Sequence, residues 1–262
     1  LLAITKVQAW GTLPVAGLAL AAIVLAAAFV MRERRTATPL LNLHLFRSAA
    51  FSGGTVAVLL SYAMLYGMFF AMSFALVRGF GDSPLAAGLH LAIVPVALGL
   101  VAPFAGGWAD RRPRSVMLTG MALCLVALAP LWAGLSAGSG GMPLSMAALA
   151  IYGAGLGCFI APNNAATLKA APADHAGQAG GLLNLMRAFG TAAGIAAMSS
   201  VLAWRIAVAA GEVKATHLLP PPVLLGAVRE SLVLLAVFAV LAAAAAWLQG
   251  RAAPPVPAAK QA

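Results

Sequence analysis

Charge is what this sequence lacks. Only 8% of its 262 residues are Asp, Glu, Lys or Arg, where a soluble domain carries about 25%. With 63% hydrophobic residues, the chain cannot cover its surface with polar groups, so its solvent is largely lipid. That excludes a soluble enzyme. Acids are scarcest: the six, Glu33, Asp82, Asp110, Asp174, Glu212 and Glu230, all fall in loops or at the edges of apolar runs. The two cysteines, Cys124 and Cys158, lie inside apolar runs without nearby His or Asp, so they form no metal site and read as small core residues. Also missing are a Ser/His/Asp grouping, metal-ligand spacing and a Gly-x-x-x-x-Gly-Lys phosphate loop. No enzymatic chemistry, cofactor, metal or direct use of ATP is expected, and energy has to come from an ion gradient. There is no initiator Met, basic n-region or signal cleavage pattern. The chain reads as a piece of a longer protein, with Leu1–Thr5 the tail of an earlier span.

What is present is a series of long uncharged stretches. A helix crossing the ~30 Å hydrocarbon core needs about 20 apolar residues. Thr12–Met31 supplies one span and Ser48–Val77 a second, tilted one. Ser83–Ala109 is a third, with Ser83 placed to cap it and Pro84 suited to the first helical position. The run Ser115–Leu168 is too long for one span, and the Gly/Ser/Pro cluster Ser136–Pro143 divides it into spans of about 115–136 and 143–168. Ala176–Trp204, interrupted only by Arg187, is the sixth and Ser231–Gly250 the seventh. The expected fold is an all-α integral membrane protein of seven transmembrane helices. Residues 251–262, with Pro254, Pro255 and Pro257, read as a disordered tail.

The net charge of +10 would suggest nucleic acid in a soluble protein. Here the basic residues lie mostly in short loops, with no basic face interleaved with aromatics, so they point to membrane orientation, contact with the bilayer and no nucleic-acid partner. Ten of the sixteen Lys and Arg (Arg32, Arg34, Arg35, Arg47, Arg111, Arg112, Arg114, Lys169, Arg251, Lys260) lie on one side and five (Lys6, Arg78, Arg205, Lys214, Arg229) on the other. The richer side is expected to be cytoplasmic, which puts the C-terminus inside the cell (inner) membrane. Small residues recur at four-residue spacing in Gly153/Gly157, Gly177/Gly181 and Gly190/Gly194, with Gly99, Pro103 and Gly107 on the third span. That spacing lets helix backbones approach closely in lipid. Glycine and proline within the spans suit the bendable helices of a transporter. A retinal protein is excluded, because the last span has no lysine for a Schiff base. A noncatalytic receptor or scaffold stays open on helix count alone.

The most specific pattern is Gly106-Gly107-Trp108-Ala109-Asp110-Arg111-Arg112-Pro113-Arg114, a short turn between the third and fourth spans. Asp110 precedes the fourth span, where a negative charge favours the helix dipole, and it can pair with Arg111, Arg114 or a neighbouring helix. Read from composition alone this is a solvated turn obeying the positive-inside bias; read as a charge cluster at a bundle mouth it is a latch. Gly106, Asp110, Arg111 and Arg114 match the Gly-x-x-x-Asp-Arg-x-x-Arg signature of the major facilitator superfamily, which the turn resembles in the copy found in the second half of those transporters. Pro113 and Ser115 depart from the usual residues. Gln8–Gly11 and Pro39–Arg47 resemble the connection before the second six-helix half in the fourteen-span drug/proton antiporter branch. Gly153–Gly157, Ala161-Pro162, His175–Gly177 and Gly181–Asn184 with Arg187 and Gly190 are similar to that branch's penultimate helix pair.

The resemblance covers nearly the whole chain. It implies one extra central helix (residues 1–47 with its connector) plus the C-terminal six-helix half (48–250), without the N-terminal half as partner. The implied function is export of drugs or other small amphipathic molecules by proton antiport with alternating access. A facilitator-type sugar or organic-acid transporter is the nearest alternative.

Candidate pathway residues follow. Substrate in such folds sits near the midplane. The second span carries Tyr62 and Tyr66 beside Met64, Met68 and Met72, a stripe that suits varied apolar ligands but reads first as packing or lipid contact. Arg187 lies about seven residues into its span, roughly 10 Å below the interface; it is either functional or snorkels to headgroups. The family resemblance, with an arginine at this place, favours function. Asn163 and Asn184, near the same ends of adjacent spans, read first as interhelical glue and second as cavity wall. His90, alone within a span, is of the residue type suited to proton exchange, and it reads first as a hydrogen-bonded structural residue. With no acid inside a span, the main proton-coupling carboxylate is expected in the absent half.

Overall fold

A computed structural model describes residues 43–210 and 220–252, with seven further helical positions between Leu20 and Arg32. Apart from those positions, the first expected span, Thr12–Met31, lies outside the described residues, as do the tail after Ala252, Leu1–Thr5 and most of the 1–47 connector. Every described element is helical. Six helices are long and apolar enough to cross a membrane. A short 3-10 turn, Leu43–Arg47, leads into α1, Ala49–Phe74. Helix α1 continues through a widened turn, Ala75–Phe80, and stops at Gly81, whose φ of +81° only glycine adopts without strain.

The second span starts as its sequence suggests. Ser83 Oγ accepts the Ala86 N–H at 3.2 Å and Pro84 occupies the first turn. It comes in two pieces, α2 (Pro84–Leu91) and α3 (Ile93–Ala109), broken at Ala92. Pro95 is the physical cause: it has no N–H for the Leu91 carbonyl, and its ring crowds that carbonyl. Helix α4 is Pro113–Ser136 and α5 is Met142–Lys169, joined by a tight turn at Gly138–Gly141. Helix α6 runs Ala176–Ala210 and α7 runs Pro221–Ala252. Helix α7 therefore begins ten residues before the uncharged run at Ser231 and carries Arg229 and Glu230 in its first turns. Hydropathy marks where lipid begins, not where hydrogen bonding begins, and a helix can extend into water.

The spans pack as two related triplets. Helix α1 touches α5, α6 and α7, while α5 touches α1, α3 and α4; α4 also meets α7. Exchanging the first three spans for the last three leaves this neighbour set unchanged, and the partners so exchanged run in opposite directions. That is the arrangement of an inverted repeat. Glycine sets the closest contacts. A Cβ at Gly157 would lie 2.7 Å from the Leu98 carbonyl oxygen on α3, and one at Gly120 would lie 2.6 Å from the Gly155 oxygen. Gly153 meets Val94, while Gly190 and Gly194 press α6 onto the carbonyls of Leu59 and Ala63 on α1. The identically spaced Gly177 and Gly181 face open space, as do Gly99 and Gly107. Met64, Met68 and Met72 are fully buried in the core between helices, so the stripe packs against neighbouring helices.

Tryptophan and arginine mark two levels. At one end Arg114 and Arg251 lie 5.1 and 3.7 Å from the Trp247 ring. At the other, Arg205 covers Trp204 at 4.5 Å and Arg229 covers Trp132 at 5.0 Å. Rings at headgroup depth with cations beside them are what two bilayer interfaces select. Between these levels α3 presents Val96, Leu100, Phe104 and Trp108 outward, each more than half exposed. In a bilayer such a stripe has lipid or another apolar surface against it.

Candidate functional site

Three groups of polar side chains are set into this apolar body. The first lies where α1 and α6 run side by side. Gly190 and Gly194 bring the two backbones together, and Arg187, one turn earlier on α6, is held against α1. Its guanidinium lies 5.6 Å from the centre of the Tyr62 ring. Its Nη1 donates to Asn184 Oδ1 at 3.1 Å, and its Nε is buried without a hydrogen-bond partner. Counted from Ala176, where α6 begins, Arg187 is about 16 Å along its helix at 1.5 Å per residue, deeper than the seven residues expected. The side chain leans back one turn and stops at Asn184 and Tyr62. Tyr66, one turn beyond Tyr62, is half-buried and meets Phe69 edge-on at 5.8 Å. Tyr62, Asn184 and Arg187 thus come together, with Tyr66 beside them.

The second group is fully buried and ties α1, α5 and α7. Asn163 Nδ2 donates to the Gly54 carbonyl at 3.1 Å, Thr167 Oγ1 donates to the Asn163 carbonyl at 2.7 Å, and Gln249 Nε2 donates to Thr167 Oγ1 at 3.1 Å. Gly54 is obligatory here, because a side chain would occupy the space of Thr167 and Gln249. Asn163 is therefore apart from Asn184 and acts as a tie between helices. Nearer mid-depth, the buried Tyr152 hydroxyl donates to the Met64 carbonyl at 3.2 Å, joining α5 to α1. Thr167, Gln249 and Tyr152 were not legible as partners. Their one signal was a polar atom inside an apolar run, where it must find a bond.

The third group stands at the Arg205 end. His90 Nδ1 lies 2.8 Å from Asp82 Oδ2, with the histidine about one-third exposed. The imidazole thus meets a carboxylate from the loop before its own helix, near the interface and away from Arg187. At the same end Arg205 and Glu230 form an ion pair at 3.1 Å between α6 and α7.

At the opposite end lies the charged turn. Gly106 faces open space, Asp110 closes α3 and is exposed, and Arg111 is exposed. Among the described residues Asp110 has no ion pair. Arg114 turns instead toward α7, over Trp247 and against Gly250. The turn thus joins α3, α4 and α7 through an arginine and a ring, with its carboxylate left open. Among the described residues no cluster of three His, Cys, Asp or Glu could hold a metal.

Comparison with known proteins fits this geometry. The model of the Major Facilitator Superfamily matches residues 10–195 and 54–261. The tetracenomycin C resistance and export protein of Streptomyces glaucescens is 33% identical over 75% of this chain and 36% of its own length. The drug efflux pump JefA of Mycobacterium tuberculosis is 31% identical over 72% of this chain and 37% of its own. The riboflavin transporter RibZ of Clostridioides difficile is 29% identical over 71% of this chain and 41% of its own. The chain spans between a third and about two-fifths of the length of these relatives.

Proposed function

The chain belongs to the Major Facilitator Superfamily, and on that premise we propose that it is the C-terminal part of a fourteen-span exporter. In this reading the described spans form the second six-helix half, and the helix of residues 12–31 is one of two extra central spans. An N-terminal half completes the molecule. The transporter lies in the cell (inner) membrane with its C-terminus in the cytoplasm, exports drugs or other small amphipathic molecules, and draws on the proton gradient. Similarity to the export proteins and to a vitamin transporter supports a substrate class of that breadth.

The observation that carries the reading is the Gly106–Arg114 turn. Its open carboxylate at Asp110 and its arginines stand at one mouth of the bundle. Arg114 is anchored across to Trp247 on α7. An unpaired acid at that place is available to a partner half in one conformation and free in the other, which is how a latch biases two states. Tyr62, Tyr66, Asn184 and Arg187 face the substrate pathway. His90 with Asp82 serves proton exchange at the outer mouth, and Asn163 holds the helices around the pathway.

The test is efflux by the full-length transporter, wild type against Asp110→Asn, with and without a proton uncoupler. Efflux should collapse with the uncoupler and fall about tenfold in the variant at equal membrane level, the effect of about 1.4 kcal/mol on a barrier. Efflux that survives the uncoupler removes proton antiport. Full activity of Asp110→Asn removes the latch.

A further inference from the structure

We infer that the Arg187 cluster is an anion-binding site and that the substrates of this half carry a carboxylate or another acidic oxygen. The inference deepens the proposed exporter function by naming the substrate class at its pathway. It starts from a charge imbalance. Arg187 is about three turns along its helix, one turn before the Gly190 and Gly194 contacts with α1, and its guanidinium is permanently charged. Among the described residues no carboxylate reaches it. Asp82 is held by His90 and Glu230 by Arg205 at the other end. Asp110 and Asp174 are exposed outside the spans.

A cation at that depth in a low-dielectric setting is costly without a counter-charge. The structure provides only partial compensation: one amide oxygen from Asn184 and the face of the Tyr62 ring. The guanidinium has five N–H donors in a planar fork. One is bonded to Asn184, and the Nε–H is buried without a partner. The protein closes off the Nε–H, so a carboxylate would meet the outer Nη1–Nη2 edge and take two parallel bonds there. Asn184 and Tyr62 meanwhile hold the group away from the headgroups it would otherwise reach. Tyr62 and Tyr66 supply aromatic surface beside it for the apolar part of an amphipathic anion.

The same feature disfavours lipophilic cations. They would meet a fixed positive charge, with no acid among the described residues to offset it. An acid on the other half is the competing partner for Arg187, and it predicts no such charge preference.

The experiment uses the full-length transporter in lipid nanodiscs and two dyes that share a xanthene core, fluorescein (an anion at pH 8) and rhodamine 123 (a cation). Binding is read by fluorescence anisotropy, which requires no transport. Wild type should bind fluorescein about tenfold or more tighter than rhodamine 123, as a charge-assisted hydrogen bond is expected to give. Arg187→Gln should lose that preference while rhodamine 123 binding stays level, and Arg187→Lys should keep part of it. Wild type preferring rhodamine 123, binding both alike, or binding fluorescein unchanged in Arg187→Gln overturns the inference. So does equal loss of both dyes in a folded Arg187→Gln protein. Should that variant not fold, the wild-type preference and Arg187→Lys decide. Selective fluorescein binding without uncoupler-sensitive efflux would sink the exporter reading and leave the anion site standing. Efflux of rhodamine 123 without fluorescein binding would do the reverse.

Discussion

Replacing Gly157 by alanine tests the packing logic most directly. The new methyl would sit 2.7 Å from the Leu98 carbonyl oxygen and 3.2 Å from its Cα, where ordinary contact begins near 3.4 Å. The obstacle is backbone on a helix, so no side chain can swing aside, and α3 and α5 must part by about 0.7 Å, the difference between those distances. Separation at Gly157 also loosens Gly153 against Val94, one turn away. Overpacking of this kind costs about 1–3 kcal/mol. Relief of the glycine penalty in a helix returns up to about 1 kcal/mol. The net expectation is a loss of about 1–2 kcal/mol, read as a fall of several degrees in the temperature at which the purified protein in detergent loses its monodisperse gel-filtration peak. The control is Gly99→Ala on α3, where a Cβ meets nothing within 4 Å; it should be neutral or slightly stabilising. Equal behaviour of the two variants would refute the claim that glycine spacing at Gly153/Gly157 exists for backbone approach.

Tyr152→Phe should cost about 1 kcal/mol or less, because it removes the hydroxyl bond to the Met64 carbonyl without opening a cavity; an unshifted melting temperature would mean the bond contributes nothing in lipid. Tyr66→Ala should alter which compounds the full-length transporter exports while its membrane level is unchanged, and an identical resistance profile across a drug panel would take Tyr66 out of the pathway.

The six described spans could be read from uncharged runs because lipid leaves so little freedom: a backbone that crosses it must be helical, and its length is fixed by thickness. Which face of each helix is buried was far less legible. Helices apolar all round carry no polar stripe to point outward. Gly190/Gly194 and Gly177/Gly181 share one spacing, yet only the first pair meets another helix. The Ala92 break was hidden for the same reason, since Pro95 and Pro103 look alike in sequence but α3 runs on through Pro103. The Asp82–His90 pair eluded pattern reading because Gly81 and Ser83–Pro84 separate the loop acid from its helix, and only the fold of that turn brings them to 2.8 Å. At Arg187 the type of residue announced a candidate, and its neighbours Tyr62 and Asn184 were each suspected singly. Their meeting needed the glycine contacts that hold α6 on α1.

Those contacts also bear on how a transport cycle would divide its motion. Within the described helices the close approaches involve backbone on at least one side, and buried hydrogen bonds donated by Asn163, Gln249 and Tyr152 cross between α1, α5 and α7. Packed interfaces of this kind have one good arrangement and resist graded deformation. Surfaces without such ties include the outward stripe of α3 and the open side of the Arg187 cluster. Movement should therefore occur at those surfaces, with the six spans displaced as a unit. Spin labels on the exposed Ser73 of α1 and Ser115 of α4 test this in the full-length transporter. Their distance distribution, measured by double electron–electron resonance, should be the same with and without substrate and across a proton gradient, while a label paired across to the proposed N-terminal half should shift. A shifted or split distribution between Ser73 and Ser115 would mean that the glycine and hydrogen-bond ties yield during the cycle, and that the six spans do not move as a unit.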